Sequence, residues 1–310
     1  MDGALLWSDL WAARELFAAP IACAAAAGAG LGFLSVFIVL KRMVFISATV
    51  SQCAGLGVAF AFWIELFLGM HLPPAVIASL VAIAATLLCA IDPKRVGLTR
   101  EALLGLIYAL SASLAVLLSA RLAQEAHEVQ AILFGSAVLV RDLDVWLVSS
   151  LGAIILLLGT WTYRGLTFAL FDETAARAQG LAVLAIKGAL LIAIGAMIGI
   201  SARALGALPV FALSTLPAVA ALRWRLPLRG VLIAASFIGV FDGVGGYLLA
   251  LRFDLPVGAT QATLAGFVAL ASIAIWTLWA RWRRLRRFSI SPVPCPELRN
   301  PCGSSSSSLP

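Results

Sequence analysis

Long apolar runs constrain this chain more than any other feature of its sequence. About nine of them alternate with short polar segments, at residues 17–40, 46–68, 74–91, 102–120, 143–161, 182–202, 206–222, 230–250 and 257–280. A helix needs ~20 mainly apolar residues to cross a bilayer. Backbone polar groups in lipid must be hydrogen-bonded within their own segment, so each run is expected to be helical. The sequence therefore predicts an all-α, polytopic transmembrane bundle of about 8–9 spans.

Composition excludes a soluble domain. The chain is 62% hydrophobic with 12% charged residues and a mean hydropathy of +1.04, far from the balance of soluble proteins. The net charge of +7 does not indicate nucleic-acid binding, because the basic residues lie between the apolar runs.

Acidic residues and no basic segment precede the first run, so it is interpreted as a span and not as a signal peptide. The segment 124–140 is ambiguous and fits an interfacial or a re-entrant helix.

The distribution of lysine and arginine predicts the orientation. With the N-terminus outside, fifteen basic residues fall on the cytoplasmic side and five on the other, as the positive-inside rule requires. The cytoplasmic set is Lys41, Arg42, Lys94, Arg95, Arg100, Arg164, Arg177, Arg223, Arg225, Arg229, Arg281, Arg283, Arg284, Arg286 and Arg287. The outer set is Arg14, Arg121, Arg141, Arg203 and Arg252. We therefore expect an extracytoplasmic segment 1–16, a transmembrane domain 17–287 in the cell (inner) membrane, and a disordered cytoplasmic tail 288–310.

A polar interruption, YRGLTFALFDETAARAQGL, separates two spans at residues 163–181. Asp172 or Thr174 can cap a short amphipathic helix there, and Gly180 can end it. The predicted orientation puts this segment in the cytoplasm. A plain turn would need only a few residues, so the segment suggests a surface for a soluble partner.

Ionisable side chains at membrane depth are costly and are functional candidates by default. Asp242 lies in the middle of the run 230–250 and is followed by Gly243, Gly245 and Gly246. It could line a path as a cation or proton site, or pair with Lys187 or a hydroxyl as a structural contact. Glu65 and Lys187 lie near span ends, where snorkelling to the interface is expected.

Two spans carry polar groups that suit a pathway. The second contains Ser51 and Gln52, which could line a path, although a hydroxyl can also bond to its own helix. The seventh contains Pro209 and Pro217 beside Ser214, a combination that would kink a helix in a gated pathway or simply aid packing. Small residues four apart predict close helix packing: Gly28 and Gly32, Gly195 and Gly199, Gly239 and Gly243.

Four segments in order resemble a known family, the membrane permeases of ABC importers that take up zinc, manganese or iron. FDETAARAQGL at 171–181 resembles the family's coupling segment, close to FDPEFARALGL. GALPVFALSTLPAVAA at 206–221 resembles its VGxLLVxALLxxPAATA span. DLPVGAT at 254–260 resembles its DLPSGPT turn, and LFGSAV at 133–138 its LFGS segment. The order and spacing extend from about residue 17 to residue 280.

One segment departs from the family pattern. The second span of the family reads close to LIGDALSHAVLPGVALAF, and Ser51, Gly57 and Val58 match it. The family's aspartate is Ala48 here, and its histidine is Gln52. Alanine has no ligand atom and glutamine is a weak neutral donor, so the metal ligands are not transferred. Cys53 adjoins these positions as a possible soft ligand or as apolar packing.

The resemblance implies a homodimer with one translocation path, two cytoplasmic ABC ATPases and an extracytoplasmic solute-binding protein, and it implies no cofactor. The ATPase-coupling residues it implies are Phe171, Asp172, Ala176, Arg177 and Gly180. The candidate path residues are Ser51, Gln52, Asp242, Ser214 and Pro217. The chain has no GxxxxGK[ST] loop, so ATP hydrolysis is assigned to a partner and not to this chain.

The sequence leaves two alternatives to this function. A permease of the same fold could move another solute or act mainly as a partner subunit, as Ala48 and Gln52 suggest. An intramembrane hydrolase is disfavoured, because no HExxH motif, paired intramembrane aspartates or Ser–Lys or Ser–His arrangement occurs at membrane depth.

Overall fold

The computed structural model of the chain describes residues 14–69, 71, 73–90, 99–121 and 140–288. Within these ranges the regular secondary structure is entirely helical. The helices are α1 (Arg14–Leu40), α2 (Val44–Leu68), α3 (Pro74–Ala90), α4 (Arg100–Arg121), α5 (Asp142–Trp161), α6 (Tyr163–Phe171), α7 (Glu173–Ala178), α8 (Val183–Leu205), α9 (Ala207–Leu213), α10 (Leu216–Leu222), α11 (Leu228–Phe253) and α12 (Val257–Phe288).

Seven of these helices are long and apolar enough to cross a membrane: α1, α2, α4, α5, α8, α11 and α12. Two shorter apolar stretches, 74–89 and 207–222, occupy the other two predicted runs. The predicted all-α transmembrane bundle is therefore confirmed, with a span count close to the expected one. The chain is a multi-pass membrane protein.

The seventh predicted span is not one kinked helix. It forms two seven-residue helices, α9 and α10, separated at Ser214 and Thr215. Pro217 lies in the first turn of α10, where its missing N–H would have had no intrahelical acceptor. The proline thus starts a new helix and does not bend a continuous one.

Close backbone contacts hold the bundle together at the glycine pairs. A Cβ atom on Gly243 of α11 would lie 2.7 Å from the Ala24 carbonyl oxygen of α1. One on Gly32 would lie 2.5 Å from the Ala235 carbonyl oxygen. Gly195 and Gly199 of α8 approach the backbone of α3 in the same way. Only glycine permits these separations, so the pairs serve close helix packing as predicted.

The basic helix ends gather at one end of the bundle. Lys41, just after α1, donates a hydrogen bond to the Leu170 carbonyl at the end of α6. The Arg229 guanidinium lies 5.1 Å from the centre of the Tyr163 ring. At the opposite end, a guanidinium nitrogen of Arg203 lies 4.0 Å from a carboxylate oxygen of Asp144. These residues lie near the end of α8 and the start of α5, both of which are predicted to be outside.

Two ionisable residues pair near the helix ends where the sequence predicts them to snorkel. Lys187 of α8 forms an ion pair with Glu173 of α7. It is therefore not the partner of Asp242 that the sequence left open. Glu65 lies 2.7 Å from Nδ1 of His71, on the outer side. Both side chains find a partner near their own helix end, because an ion pair offsets the cost of their partial burial.

Some predictions fall outside the described residues. These are the ambiguous segment 124–140 except for its last residue, the LFGSAV segment, and the termini 1–13 and 289–310.

Candidate functional site

The polar segment between α5 and α8 folds as two helices joined at Asp172. The Asp172 side chain caps α7, accepting a hydrogen bond of 3.0 Å from the backbone N–H of Ala175. The Thr174 hydroxyl donates to the same carboxylate at 2.8 Å. Of the two predicted caps, Asp172 is therefore the one used. These two donors hold the pKa of Asp172 below its ordinary value, since they stabilise the ionised carboxylate.

The end of α7 is fixed by Gly180, as predicted. Gly180 has φ of 79°, a left-handed conformation that favours glycine. The Leu181 N–H donates to the Ala176 carbonyl at 3.0 Å, and the Gly180 N–H donates to the Arg177 carbonyl at 3.0 Å. This pair of bonds is a Schellman motif. It ends α7 at Ala178, so the helix spans 173–178, between the predicted cap and the predicted stop.

Three contacts attach this segment to the membrane helices. Ala176 is fully buried and packs with Ala169 and Val183. Glu173 pairs with Lys187 of α8, and the hydrogen bond from Lys187 lowers the pKa of Glu173. Lys41 binds the last turn of α6. A movement of α7 would therefore act directly on α8, and it would reach the end of α1 only through α6.

The other predicted coupling residues face away from the bundle. Phe171 is 60% exposed, although it is a large apolar side chain. Arg177 and Gly180 are exposed too. Ala176 thus attaches the segment to the bundle. The other four residues form a surface that faces away from the bundle: Phe171, Asp172, Arg177 and Gly180. We call residues 171–181 the coupling segment.

The break between α9 and α10 contains buried hydroxyl groups. Ser214 and Thr215 are buried, and both hydroxyls donate to the Phe211 carbonyl, at 2.8 and 2.9 Å. The Ser47 hydroxyl of α2 lies 2.5 Å from that of Ser214. The broken helix is therefore tied to α2 near the start of the second span.

The two path residues predicted on α2 have different surroundings. The Ser51 hydroxyl is buried and donates to the Ala48 carbonyl of its own helix at 2.8 Å. This is the bond within the helix that the sequence left open as the alternative to lining a path. Gln52 is half-buried and makes no hydrogen bond with the residues the structure describes. Of the two, Gln52 alone is available to a solute.

Gln52 belongs to a stripe of α2 that the other residues described by the structure leave open. The stripe consists of Phe45, Ala48, Gln52, Leu56 and Phe60, all partly or well exposed beside buried neighbours. The spacing of three to four residues puts them on one helix face. We call it the open stripe. Its one polar side chain is Gln52, and it also contains Ala48.

Aromatic rings continue this face toward the outer end of α2. The Phe60 and Trp63 rings stack with centroids 6.0 Å apart, and those of Trp63 and Phe67 lie 4.9 Å apart. Sequence reasoning missed this row, although the spacing 60, 63, 67 is the signal that predicts it.

Asp242 is fully buried in α11, and neither carboxylate oxygen has a hydrogen-bond partner among the described residues. The next residue, Gly243, accepts a 2.8 Å hydrogen bond from the Gln261 amide of α12, whose own oxygen also has no partner there. The paired arrangement left open by the sequence, with Lys187 or a hydroxyl, is therefore not found. A buried carboxylate with unused acceptors suits a proton or a cation.

The structure does not bring all the path candidates together. Ser214 lies where α2 meets the broken helix. Pro217 lies on α10 and Asp242 on α11, and these two helices pack on each other and on α1 and α12. In the part of the chain that the structure describes, no three Cys, His, Asp or Glu side chains cluster as metal ligands would. The Cys53 sulfur lies 3.1 Å from the Ser111 hydroxyl, a packing contact inside the bundle.

The chain is similar to membrane proteins of metal transport systems. It is 28% identical over 76% of its length to an "Uncharacterized membrane protein in ycf23-apcF intergenic region" of Cyanophora paradoxa, covering 78% of that protein. It is 26% identical over 72% of its length to "Manganese transport system membrane protein MntC" of Bacillus subtilis, covering 52% of it. Its fold is similar to a chain of "PsaBC from Streptococcus pneumoniae in complex with Fab", with a TM-score of 0.75, 21% identity and coverage of 86% of this chain and 95% of the other.

A family profile decides the assignment. The profile of the ABC 3 transport family matches residues 14–276, which include all nine apolar runs up to the last turns of α12. The permease resemblance drawn from the four sequence segments is therefore confirmed. This chain belongs to the ABC 3 transport family.

Proposed function

We propose that this chain is the permease subunit of an ATP-driven ABC importer that takes up a divalent metal ion. Membership of the ABC 3 transport family and the similarity to a manganese transport protein support the solute class. The observation that carries the proposal is the coupling segment, an exposed, capped surface that is anchored on the ends of transmembrane helices.

The translocation path is assigned to the interface between two copies of this chain. The open stripe of α2 supports this, because one face of an otherwise buried helix is left uncovered by the rest of the described residues. A second copy would complete a channel with Gln52 from each chain facing it. The row of Phe60, Trp63 and Phe67 would form its outer constriction, where a solute-binding protein delivers the ion.

Energy would enter through the coupling segment. An ATPase that closes on ATP would push on the outward surface formed by Phe171 and Arg177. Glu173 and Ala176 would carry the displacement to α8, and Lys41 would carry it to α1. Since packed helices are bistable and not continuously deformable, such a push favours one of two arrangements of the bundle. The chain itself is a transporter subunit, with hydrolysis done by the partner.

The same fold moving another solute is the second candidate. Ala48 and Gln52 favour it, since the open stripe offers only a neutral amide in place of an acid and an imidazole. Amide oxygens are weak ligands for Mn²⁺ or Zn²⁺. Under this candidate, the coupling segment keeps its role and the path residues select a different cargo.

Metal uptake by vesicles separates the two candidates. The chain is reconstituted with its ATPase and binding protein, and accumulation of Zn²⁺, Mn²⁺ and Fe²⁺ is measured with and without ATP. ATP-dependent accumulation of one metal is expected. Active ATP hydrolysis without accumulation of any of the three would overturn the metal assignment and support the second candidate.

A variant at the open stripe tests the path itself. We expect Gln52→Ala to slow uptake while assembly is retained, because it removes the one polar side chain of the stripe. Ser51→Ala is the matched control, since the Ser51 hydroxyl bonds only to its own helix and should not contribute. Equal effects of the two variants would contradict a path along this face.

A further inference from the structure

Four arginines and two tryptophans line a pocket at the basic end of the bundle. It has a volume of about 560 Å³ and lies between the loop after α10 and the last turns of α12. Its principal lining residues are Arg223, Arg225, Trp276, Trp279, Arg281 and Arg283. We call it the arginine–tryptophan pocket. The coupling segment and the open stripe contribute none of its lining residues.

Buried contacts hold the two walls of the pocket in place. The Trp224 indole N–H donates to the Ser272 hydroxyl at 2.8 Å, and Ser272 donates to the Ala220 carbonyl at 2.8 Å. Ser272 is itself buried. This relay ties the loop after α10 to α12, so the pocket is part of the packed bundle.

Two of the arginines are oriented by the tryptophans. The Arg283 guanidinium carbon lies 3.7 Å from the centre of the Trp279 ring, and that of Arg225 lies 5.7 Å from the centre of the Trp276 ring. Cation–π contacts of this kind restrict a guanidinium without neutralising it. The guanidinium N–H groups of these arginines remain available to a ligand.

The positive charge of the pocket is not balanced by any acidic residue that the structure describes. None of the acidic residues that the structure describes forms an ion pair with Arg223, Arg225, Arg281 or Arg283. Four guanidinium groups around one cavity repel each other in a medium of reduced dielectric constant. A bound anion removes this repulsion, and the planar guanidinium matches a phosphate in particular.

The depth of the pocket identifies the source of the phosphate. Helix α12 has 32 residues and begins at Val257, on the outer side in the predicted orientation. A hydrocarbon layer of ~30 Å corresponds to ~20 helical residues, which reaches about residue 276. Trp276 and Trp279 thus lie where the hydrocarbon ends, the level at which tryptophans concentrate and lipid headgroups lie. A soluble phosphate would need no such position.

We propose that the arginine–tryptophan pocket binds the headgroup of an anionic phospholipid of the cytoplasmic leaflet. The arginines hold the headgroup phosphate, and the tryptophan rings flank the glycerol and the start of the acyl chains. The pocket is independent of the cargo and requires only the membrane. It fits the general chemistry of basic pockets between transmembrane helices on the cytoplasmic side.

Native mass spectrometry of the purified chain tests the proposal. The protein is exposed to equal amounts of phosphatidylglycerol and phosphatidylcholine, and the lipid retained after detergent removal is counted. We expect preferential retention of phosphatidylglycerol. The double variant Arg225→Gln with Arg283→Gln should lower this preference by about fivefold per arginine, the effect of one basic residue near an anionic surface.

Two controls keep the result specific. Arg100→Gln removes one positive charge at the same membrane face but outside the pocket, so it should leave the preference unchanged. Trp279→Leu keeps every charge and removes one flanking ring, and it should reduce retention if the pocket itself is occupied. Folding of each variant is checked by a single symmetric peak in size-exclusion chromatography.

Three outcomes would overturn the proposal. The first is equal retention of the two lipids by the wild type. The second is an equal loss of preference in Arg100→Gln and in the double variant, which would indicate a general effect of charge. The third is displacement of phosphatidylglycerol by inorganic phosphate at equal concentration, which would indicate a soluble anion and not a lipid.

Discussion

The hydroxyl oxygens of Ser47 and Ser214 lie 2.5 Å apart although the two residues are 167 positions apart in the chain. Ser214 donates its only hydroxyl proton to the Phe211 carbonyl. Ser47 must therefore be the donor to Ser214. This chain of two hydrogen bonds joins α2 to the break between α9 and α10.

The direction of this hydrogen bond predicts an asymmetric effect of mutation. Ser214→Ala leaves the buried Ser47 hydroxyl without its acceptor and should cost about 1–3 kcal/mol, whereas Ser47→Ala should cost about 0.5–1.5 kcal/mol. The double variant should be less destabilised than the sum of the two. Thermal unfolding in detergent measures all three, and strictly additive losses would contradict a direct bond.

The left-handed conformation of Gly180 predicts which substitutions the coupling segment tolerates at this position. A Cβ atom there meets no atom within 4 Å, so a substitution acts through the backbone alone. Gly180→Val should cost about 1–2 kcal/mol locally and separate ATP hydrolysis from uptake in the reconstituted importer. Gly180→Asn is the control, because asparagine tolerates this conformation and should keep most of the coupling. Equal coupling in the two variants would argue against a role for the Schellman turn.

Acid should loosen the attachment of α7 to α8. The bond from Lys187 lowers the pKa of Glu173 in the folded state, so the stability it contributes is complete above the ordinary glutamate pKa. That stability is lost as the pH falls through the lowered folded-state value. The unfolding temperature of the wild type should exceed that of Glu173→Gln at neutral pH, and the gap should close in acid.

A matched variant separates this effect from a general effect of charge. Glu101 is an exposed glutamate in the first turn of α4, without an ion pair to any residue that the structure describes. Glu101→Gln should give a smaller gap with no comparable closure in acid. A gap in Glu173→Gln that is constant with pH would disprove the contribution of the ion pair.

The crossing of α1 and α11 depends on the absence of a side chain at Gly243. Gly243→Ala would bring a Cβ atom to 2.7 Å from the Ala24 carbonyl oxygen, which forces the helices apart and should cost about 1–3 kcal/mol. Gly266→Ala is the control, since a Cβ atom there meets nothing within 4 Å. The unfolding temperature should fall only for the first variant.

The role of Asp242 is tested by a neutral side chain of the same shape. Asp242→Asn removes the negative charge and the capacity to bind a proton, while the surrounding packing is retained. If Asp242 serves the path, uptake should fall at least tenfold, which is about 1.4 kcal/mol in the barrier. The complex should still assemble. Uptake at the wild-type rate would make Asp242 a structural residue.

Sequence reasoning predicted the two ends of α7 well because their signals are local. Asp172 caps the helix that follows it, and Gly180 ends that helix, through hydrogen bonds within a few residues. The path was found less well: Ser51 bonds to its own helix, whereas Gln52 is open, and no local pattern separates the two.

The sequence by itself determined that the chain crosses the membrane many times as helices, because lipid leaves the backbone no other way to satisfy its polar groups. It also determined the ends of the coupling helix and the close-packing glycines. Only the tertiary structure decided that Lys187 pairs with Glu173 and that Ser47 binds Ser214. It likewise decided that α2 leaves one stripe open. Contacts between distant segments depend on how helices pack, and helices that are apolar on all sides carry no pattern that specifies their neighbours.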